Sequence, residues 1–287
     1  MLKQRLATAS VLIPLALCAI FLLPLYWFAW ASLIVLVMAA WEWSPLMGVH
    51  RIAGRLLYCA GVAGLIGLTA WLMPIEQIWT AEGLSQAYLY PVIIGGIWWA
   101  ASFVLVCNFP RSRCIWAKSR AFVALIGVFM LVPAWSALMG LRTLHYHSDP
   151  HFGSWVVLFI FSLVWAADVG AYFSGKRFGK HKLMPEVSPS KTKEGFLGGL
   201  ALALVVMIAV ASYVEIPRDK LTAFFLVSIL TVVLSVIGDL NESMFKRCAG
   251  VKDSGSLLPG HGGLLDRIDS LTSALPVFLL GYLWLIH

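Results

Sequence analysis

Long apolar runs separated by short polar segments dominate the chain from end to end. A helix needs about 20 apolar residues to cross the hydrocarbon core of a bilayer. The pattern therefore predicts nine transmembrane helices, the first two close enough to form one helical hairpin, with no linker long enough to separate soluble domains. The predicted spans are 8–25, 27–43, 56–74, 89–107, 121–141, 153–173, 195–214, 221–238 and 269–286.

Composition supports an all-α, polytopic membrane bundle. Of the 287 residues, 60% are hydrophobic and only 12% are charged, whereas about a quarter are charged in a typical soluble domain. The charged start followed by an apolar run also suits a signal peptide. Because that run is long and no small-x-small cleavage site follows it, the sequence favours an uncleaved first span.

The distribution of basic residues predicts the orientation. With a cytoplasmic N-terminus, all but three of the 21 Lys and Arg residues fall in cytoplasmic segments, the exceptions being Arg142, Arg218 and Lys220. The net charge of +7 then reflects contact with anionic lipid rather than with nucleic acid. The C-terminus is predicted outside. The two most polar loops, 174–194 and 239–268, face the cytoplasm, where nucleotides are.

Two residue types raise the question of a structural metal or disulfide. The five cysteines are scattered and form no CxxC pair, which argues against a disulfide framework or a zinc site. His145, His147 and His151 lie close together in LHYHSDPH, a spacing compatible with metal binding. That loop falls outside on the predicted topology, and we interpret it as an ordinary loop.

An acidic residue, Asp168, lies in VWAADVGAYFSG, inside or at the end of the sixth span. A carboxylate inside or at the end of a span needs a cation or a proton, which makes it a functional candidate. The following GAYFSGKR nearly matches a phosphate-binding GxxxxGK[ST] loop. We reject that match, because Arg177 replaces the metal-binding hydroxyl and the segment leaves a helix rather than a strand.

A basic, hydroxyl-rich loop follows at 175–195. Its SPSKT stretch combines Ser188, Ser190 and Lys191, a mixture suited to multidentate phosphate binding. Glu194 stands where the next apolar helix opens, and helix N-termini attract phosphates. The alternative is a solvated basic loop.

A third polar stretch, GDLNESMFKR, follows the eighth span. On a helix, Asp239, Glu242, Ser243 and Lys246 share one face. An amphipathic extension of the span with an ordinary Glu242–Lys246 pair is the plain alternative. Asp239 differs from the others because it sits where the apolar run ends.

The fourth stretch, KDSGSLLPGHGGLLDRIDS, precedes the last span. Asp266 and Asp269 are spaced i,i+3, and Gly262 and Gly263 would let the backbone approach a ligand closely. Mg²⁺ takes oxygen ligands, usually one or two carboxylates plus substrate phosphates, so Asp239 and Asp266 are the candidate metal pair. The remaining candidates for phosphate contact are Lys246, Arg247, Lys252, Arg267 and, for contact or acid–base work, His261. Spacing alone thus predicts a cytoplasm-facing, metal-dependent phosphate or nucleotide site, without naming its reaction.

Residues 243–269 read SMFKRCAGVKDSGSLLPGHGGLLDRID. This stretch resembles the signature of the phosphatidate cytidylyltransferase (CDP-diacylglycerol synthase) family: S-x-x-K-R, four residues, K-D, a small residue, L-P-x-H-G-G and D-R-x-D. Length, the N-terminal MLKQRL, SPSKT and GDLNESMFKR also resemble bacterial members, so the likeness covers the whole chain.

The resemblance implies transfer of the cytidylyl group of CTP to phosphatidate, giving CDP-diacylglycerol and pyrophosphate. It implies Mg²⁺ with a second cation, K⁺ or a second Mg²⁺, at the aspartates matching Asp239 and Asp266, and a homodimer in the bacterial inner membrane. Residues 151–287 would be the catalytic region and 1–150 a region for scaffold, lipid access or oligomerisation. Lys246, Arg247, Lys252 and Arg267 would bind phosphates, and Ser188, Ser190 and Lys191 would close the site. The acids that would hold basic groups or metals in place are Asp168, Glu242, Asp253 and Asp269.

The main alternative is a cation-coupled transporter, which would use intramembrane acids such as Asp168 and Asp239. Such a protein would not need two basic loops beside the acids, and no matching broken helices appear in two halves. A CDP-alcohol phosphotransferase is disfavoured because no DGxxAR run exists. A non-catalytic scaffold would leave the polar signature unused.

Overall fold

The computed structural model describes residues 2–117, 119–257 and 262–286, with the side chains of residues 2–9, 114, 115 and 286 left out of the description. The chain is almost entirely helical, with two short antiparallel hairpins, β1–β2 and β3–β4. The helices are α1 (Leu2–Leu22), α2 (Leu25–Trp43), α3 (Ile52–Leu72), α4 (Gln86–Cys107), α5 (Arg113–Trp116), α6 (Arg120–Arg142), α7 (Phe152–Phe178), α8 (Lys193–Tyr213), α9 (Arg218–Cys248) and α10 (Leu265–Gly281). The strands are β1 (Trp79–Thr80), β2 (Gly83–Leu84), β3 (Lys182–Met184) and β4 (Ser188–Thr192).

The predicted all-α polytopic bundle is confirmed. Within the described part of the chain, eight helices are long and apolar enough to cross a membrane. They are α2 to α4 and α6 to α10, and the spans that contain α2 and α10 continue to Met47 and Leu285. The remaining predicted span, 8–25, corresponds to α1, whose described apolar portion is Ser10–Leu22. Large apolar side chains such as Leu57, Trp71 and Ile97 are exposed on the outer surface, as expected of a surface that contacts lipid.

Helix α10 lies at the centre of the bundle and packs against α9, α6 and α4. Almost every residue from Asp269 to Leu280 is buried. Several polar groups in this interior are paired across helices, where no lipid group could satisfy them. Trp99 of α4 donates its indole N–H to the carbonyl oxygen of Thr272 at 3.1 Å, and Ser102 donates to the side chain of Asn241 at 2.9 Å.

Helices α7 and α8 pack closely because glycines line their contact. A Cβ atom at Gly170 would collide with the backbone of Gly198 and Gly199, and one at Gly199 would collide with the backbone of Ala167. Small residues allow such close approach of backbones in membrane helix pairs. The contact matters for the site because both helices lead into the polar β3–β4 hairpin.

Replacing Gly199 with valine is expected to destabilise the protein by about 1–3 kcal/mol, since the added side chain must push α7 and α8 apart. Gly64→Val on α3 is the matched control, because a Cβ at Gly64 meets nothing within 4 Å. Thermal unfolding in detergent should show a lower Tm for Gly199→Val than for Gly64→Val. Equal melting temperatures would contradict the close contact.

The polar segments differ in one respect from the sequence prediction. The loop predicted over 239–268 is wrong in its first part, because α9 continues to Cys248 and buries Glu242 and Lys246 inside the bundle. The helix persists there because these charged side chains find partners within the protein. The predicted loop 174–194 contains the end of α7 and the β3–β4 hairpin, in which Lys182 pairs with Thr192.

Candidate active site

The polar segments meet at one end of the bundle. The ring of Trp116, after α4, lies 4.4 Å from that of Phe245 in α9. Arg247 donates from Nε to the carbonyl oxygen of Val187 in the β3–β4 hairpin at 3.2 Å. The segments that the basic-residue pattern assigns to one side of the membrane therefore do come together in space.

Lys246 is the centre of a buried ion cluster at this end. Its Nζ lies 2.5 Å from Oδ1 of Asp266 and 3.2 Å from Oε1 of Glu242. Glu242 is fully buried, and Asp269 and Lys246 are each 7% exposed. Because burying an unpaired charge is very costly, the ammonium and the carboxylates depend on one another.

Asp266 is further fixed by the backbone. Its Oδ2 accepts hydrogen bonds from the N–H of Gly263 at 2.8 Å and of Ser254 at 3.1 Å. Asp266 lies in the first turn of α10, where the positive end of the helix dipole favours a carboxylate. Three donors therefore hold this side chain in one orientation.

Asp239 lies beside this cluster and is more accessible. Its Oδ2 is 2.6 Å from Nζ of Lys191 in β4, and Oδ1 accepts from the hydroxyl of Ser243 at 3.3 Å. Asp168 of α7 interacts electrostatically with Lys191, Asp239 and Arg267. The structure thus brings together acids from three helices and a lysine from the hairpin.

The start of α8 organises the hairpin. Thr192 caps the helix by accepting the N–H of Gly195 at 3.1 Å, an arrangement that satisfies a free helix N–H. Glu194 accepts the backbone N–H groups of Lys180 and His181 and lies 2.6 Å from Nδ1 of His181. Glu194, a predicted substrate-binding residue, therefore contacts the base of the hairpin, and the sequence analysis did not identify His181 as its partner.

A cavity of about 390 Å³ opens between α7, α8, α9 and the hairpin. Asp168, Lys176, Ser190 and Lys191 are among its lining residues, and the rest of the lining is mainly apolar. The hydroxyl groups of Ser188 and Ser190 lie 3.4 Å apart on β4. A mainly apolar cavity whose lining also carries hydroxyl and ammonium groups suits an amphiphile with an anionic head.

The remaining predicted residues lie on the exposed rim. Arg247, Lys252, Asp253 and Arg267 are all exposed, and Arg247 connects the end of α9 to the hairpin. Gly262 has a φ of +80°, a conformation that glycine adopts readily. His261 lies outside the described residues.

The sequence analysis did not single out Glu42, yet this residue joins the site from α2. It is 5% exposed, and Oε2 accepts the N–H of Leu265 at 2.8 Å and the hydroxyl of Ser254 at 3.2 Å. A signal was present, because Glu42 is the only charged residue in α2 and an ionisable residue within a span is a functional candidate by default.

The carboxylates at this end fit a hard cation. No group of three or more His, Cys, Asp or Glu side chains in the described ranges is arranged to hold a metal ion by itself, which applies equally to the His145, His147 and His151 loop. Mg²⁺ commonly uses one or two protein carboxylates and completes its shell with water and substrate phosphates. Asp239 and Asp266 supply carboxylate oxygens of the kind that this ion takes, and each also pairs with an ammonium group.

A model of the cytidylyltransferase family matches residues 3–285 of the chain. Because the match extends over nearly the entire sequence, it includes α1 to α6 as well as the helices that carry the polar cluster.

Curated relatives match over most or all of their length. The chain is 41% identical over 290 residues to a phosphatidate cytidylyltransferase of Haemophilus influenzae, covering all of both chains. It is 43% identical to a phosphatidate cytidylyltransferase of Pseudomonas aeruginosa, over 97% of this chain and 96% of the relative. A phosphatidate cytidylyltransferase of Staphylococcus haemolyticus is 33% identical over 73% of this chain and 86% of its own length.

Proposed function

The chain belongs to the cytidylyltransferase family, and on that premise we propose that it transfers the cytidylyl group of CTP to phosphatidate. The products are CDP-diacylglycerol and pyrophosphate, so the protein is a nucleotidyltransferase of phospholipid synthesis. The full-length relatives at 41% and 43% identity are named for this substrate.

The observation that supports the proposal best is the juxtaposition of paired charges and a largely apolar cavity. The Lys191–Asp239 and Lys246–Asp266 pairs lie at one end of the bundle, and Lys191 also lines the cavity between α7, α8 and α9. A lipid phosphate and a nucleotide phosphate could therefore meet at the same acids and lysines.

The reaction needs positioning more than base catalysis. The phosphatidate phosphate is an anionic nucleophile at neutral pH, and one of its oxygens bonds to the α-phosphorus of CTP as the bond from that phosphorus to the bridging oxygen of the leaving pyrophosphate breaks. Phosphoryl transfer is catalysed mainly by alignment and by charge stabilisation. We assign Lys191, Ser188 and Ser190 to holding a phosphate group at the hairpin. We assign Arg267 and Lys252, which are exposed, to contacts with the other phosphate groups of the substrates.

The buried residues would orient the side chains that contact the substrate phosphates. Lys246, held by Glu242 and Asp266, keeps Asp266 in place and contributes positive charge next to it. Asp239 and Asp266 would hold Mg²⁺ and a second cation, K⁺ or a second Mg²⁺, which supply positive charge to the reacting phosphates when bound. Asp269 and Asp168 add negative charge behind the lysines and Arg267.

For the location, we propose the bacterial inner membrane with the polar end facing the cytoplasm. The positive-inside pattern supports this orientation, and CTP is a cytoplasmic substrate. A homodimer is proposed on the family resemblance alone. The alternative of a cation-coupled transporter is not favoured, because the family and the relatives are named as transferases.

A direct assay tests the proposal. Protein purified in detergent is expected to convert phosphatidate and labelled CTP into lipid-extractable CDP-diacylglycerol when Mg²⁺ is present. A chelator should stop the reaction and added Mg²⁺ should restore it, since the acids need a cation to accept anionic substrates. Asp266→Asn should remove turnover, and its Tm should be measured beside the rate, because the change also removes one carboxylate partner of the buried Lys246. A folded, lipid-supplied wild type without product would contradict the substrate pair, and an active Asp266→Asn would contradict the metal assignment.

A further inference from the structure

Glu42 contributes a buried carboxylate from the half of the chain in which the sequence analysis found no site residue. It lies near the C-terminal end of α2, where the helix dipole disfavours an anion. The carboxylate is stabilised by two hydrogen bonds to Oε2, from the N–H of Leu265 and the hydroxyl of Ser254. A buried charge placed so unfavourably, with partners more than 200 residues away in sequence, suggests a specific task.

The same two backbone segments hold Asp266. Ser254 gives its hydroxyl group to Glu42 and its backbone N–H to Asp266. At the start of α10, Leu265 gives its N–H to Glu42, and Gly263 gives its N–H to Asp266. Glu42 and Asp266 therefore bind the same two stretches of the chain, one at Ser254 and one at the start of α10.

Two glycines next to Glu42 also indicate that its carboxyl group lies directly against this backbone. A Cβ atom at Gly255 or at Gly263 would collide with the Glu42 carboxyl group. Gly263 therefore has a reason to be glycine beyond approach to a ligand, because the backbone must pass directly over Glu42. The contact leaves Oε1 of Glu42 buried without a hydrogen-bond partner in the described part of the chain.

We propose that Glu42 is a positioning residue: it holds the backbone at Ser254 and at Leu265 so that Asp266 is aimed correctly at the reacting phosphates. The inference rests on the proposed function. It assigns the N-terminal half a direct part in assembling the site, because α2 supplies the acceptor that the start of α10 needs. Glu42 acts through Asp266 and through the backbone, and we assign it no contact with substrate.

Three variants separate positioning from charge and from bulk stability. Glu42→Ala removes both hydrogen bonds, whereas Glu42→Gln keeps an oxygen that can accept them. Leu36→Ala, also at a buried position of α2, is the matched control, because it should cost about 2–5 kcal/mol of stability without removing a hydrogen bond to Ser254 or Leu265. If Leu36→Ala only lowers the fraction of active protein, the rate falls, but the Mg²⁺ concentration that gives half of the maximal rate stays unchanged.

We expect Glu42→Ala to raise that Mg²⁺ concentration about 10–100-fold, the usual effect of losing a partner that orients a ligand. Glu42→Gln should change it less than about 10-fold, and Leu36→Ala should not change it. In metal-free protein, amide hydrogen exchange should accelerate in 251–257 and 262–268 for Glu42→Ala only. An unchanged half-saturation for Glu42→Ala, unchanged exchange in these peptides, or a Glu42→Gln variant as impaired as Glu42→Ala would overturn the proposal.

A double-variant comparison sharpens the test. If Ser254 acts through Glu42, Ser254→Ala should add little to Glu42→Ala, because contacting residues are not additive. Full additivity would count against the shared arrangement. Failure of the proposed function is distinguishable, since it would appear as a wild type without product while the exchange comparison still decides whether Glu42 holds the segment.

Discussion

Replacing Asp239 with asparagine is expected to lower the rate of CDP-diacylglycerol formation at least about 100-fold, the scale of losing one preorganised charge-stabilising group. The carboxylate faces Lys191 at 2.6 Å and is the more accessible of the two candidate metal ligands. An amide keeps the shape and can still accept the Ser243 hydroxyl group, but it cannot neutralise a cation or an ammonium group.

The stability of Asp239→Asn should change little. The Lys191 and Asp239 side chains are 25% and 29% exposed, and partly exposed ion pairs contribute about 0–1 kcal/mol because solvent screens them. Asp219→Asn is the matched control, since Asp219 is exposed in the first turn of the same helix, at its other end. Initial rates and Tm should be measured on both variants. A rate for Asp239→Asn equal to that of Asp219→Asn would exclude Asp239 from the chemistry.

Replacing Lys246 with methionine is expected to cost both activity and stability. The change leaves Glu242 and Asp266 without the ammonium group that neutralises them, and Glu242 is fully buried. Breaking a buried ion pair from one side typically costs about 3–5 kcal/mol. The activity falls as well, because Asp266 loses the donor on Oδ1 that fixes its orientation.

A second substitution separates the two losses. Adding Glu242→Gln to Lys246→Met removes one uncompensated buried charge, so thermal unfolding should show a partial recovery of Tm. The rate should stay low, because Asp266 still lacks Lys246. Lys220→Met, at the exposed opposite end of the same helix, is the control for removing a lysine. Recovery of the rate together with Tm would mean that Lys246 serves stability alone.

The sequence by itself determined the helical membrane bundle and the family. Apolar runs of about 20 residues have few alternatives to spanning helices, and the structure confirms the bundle. The spacing of Asp239, Glu242, Ser243 and Lys246 predicted one helical face, and Ser243 does contact Asp239 and Lys246 does pair with Glu242, because helix geometry fixes neighbours three and four residues apart. The family likewise followed from a local signature, residues 243–269.

Only the tertiary structure decided which charges neutralise one another. Helix α9 continues through Glu242 and Lys246 because Asp266, on another helix, makes burial of the lysine tolerable, and this partner is invisible to a local pattern. The pairing of Lys191 with Asp239 and of Glu42 with Leu265 and Ser254 joins residues far apart in the chain. The cost of burying a charge depends on the partners that the fold brings next to it, so a lone acid in an apolar helix acquires a role only when the helices are packed.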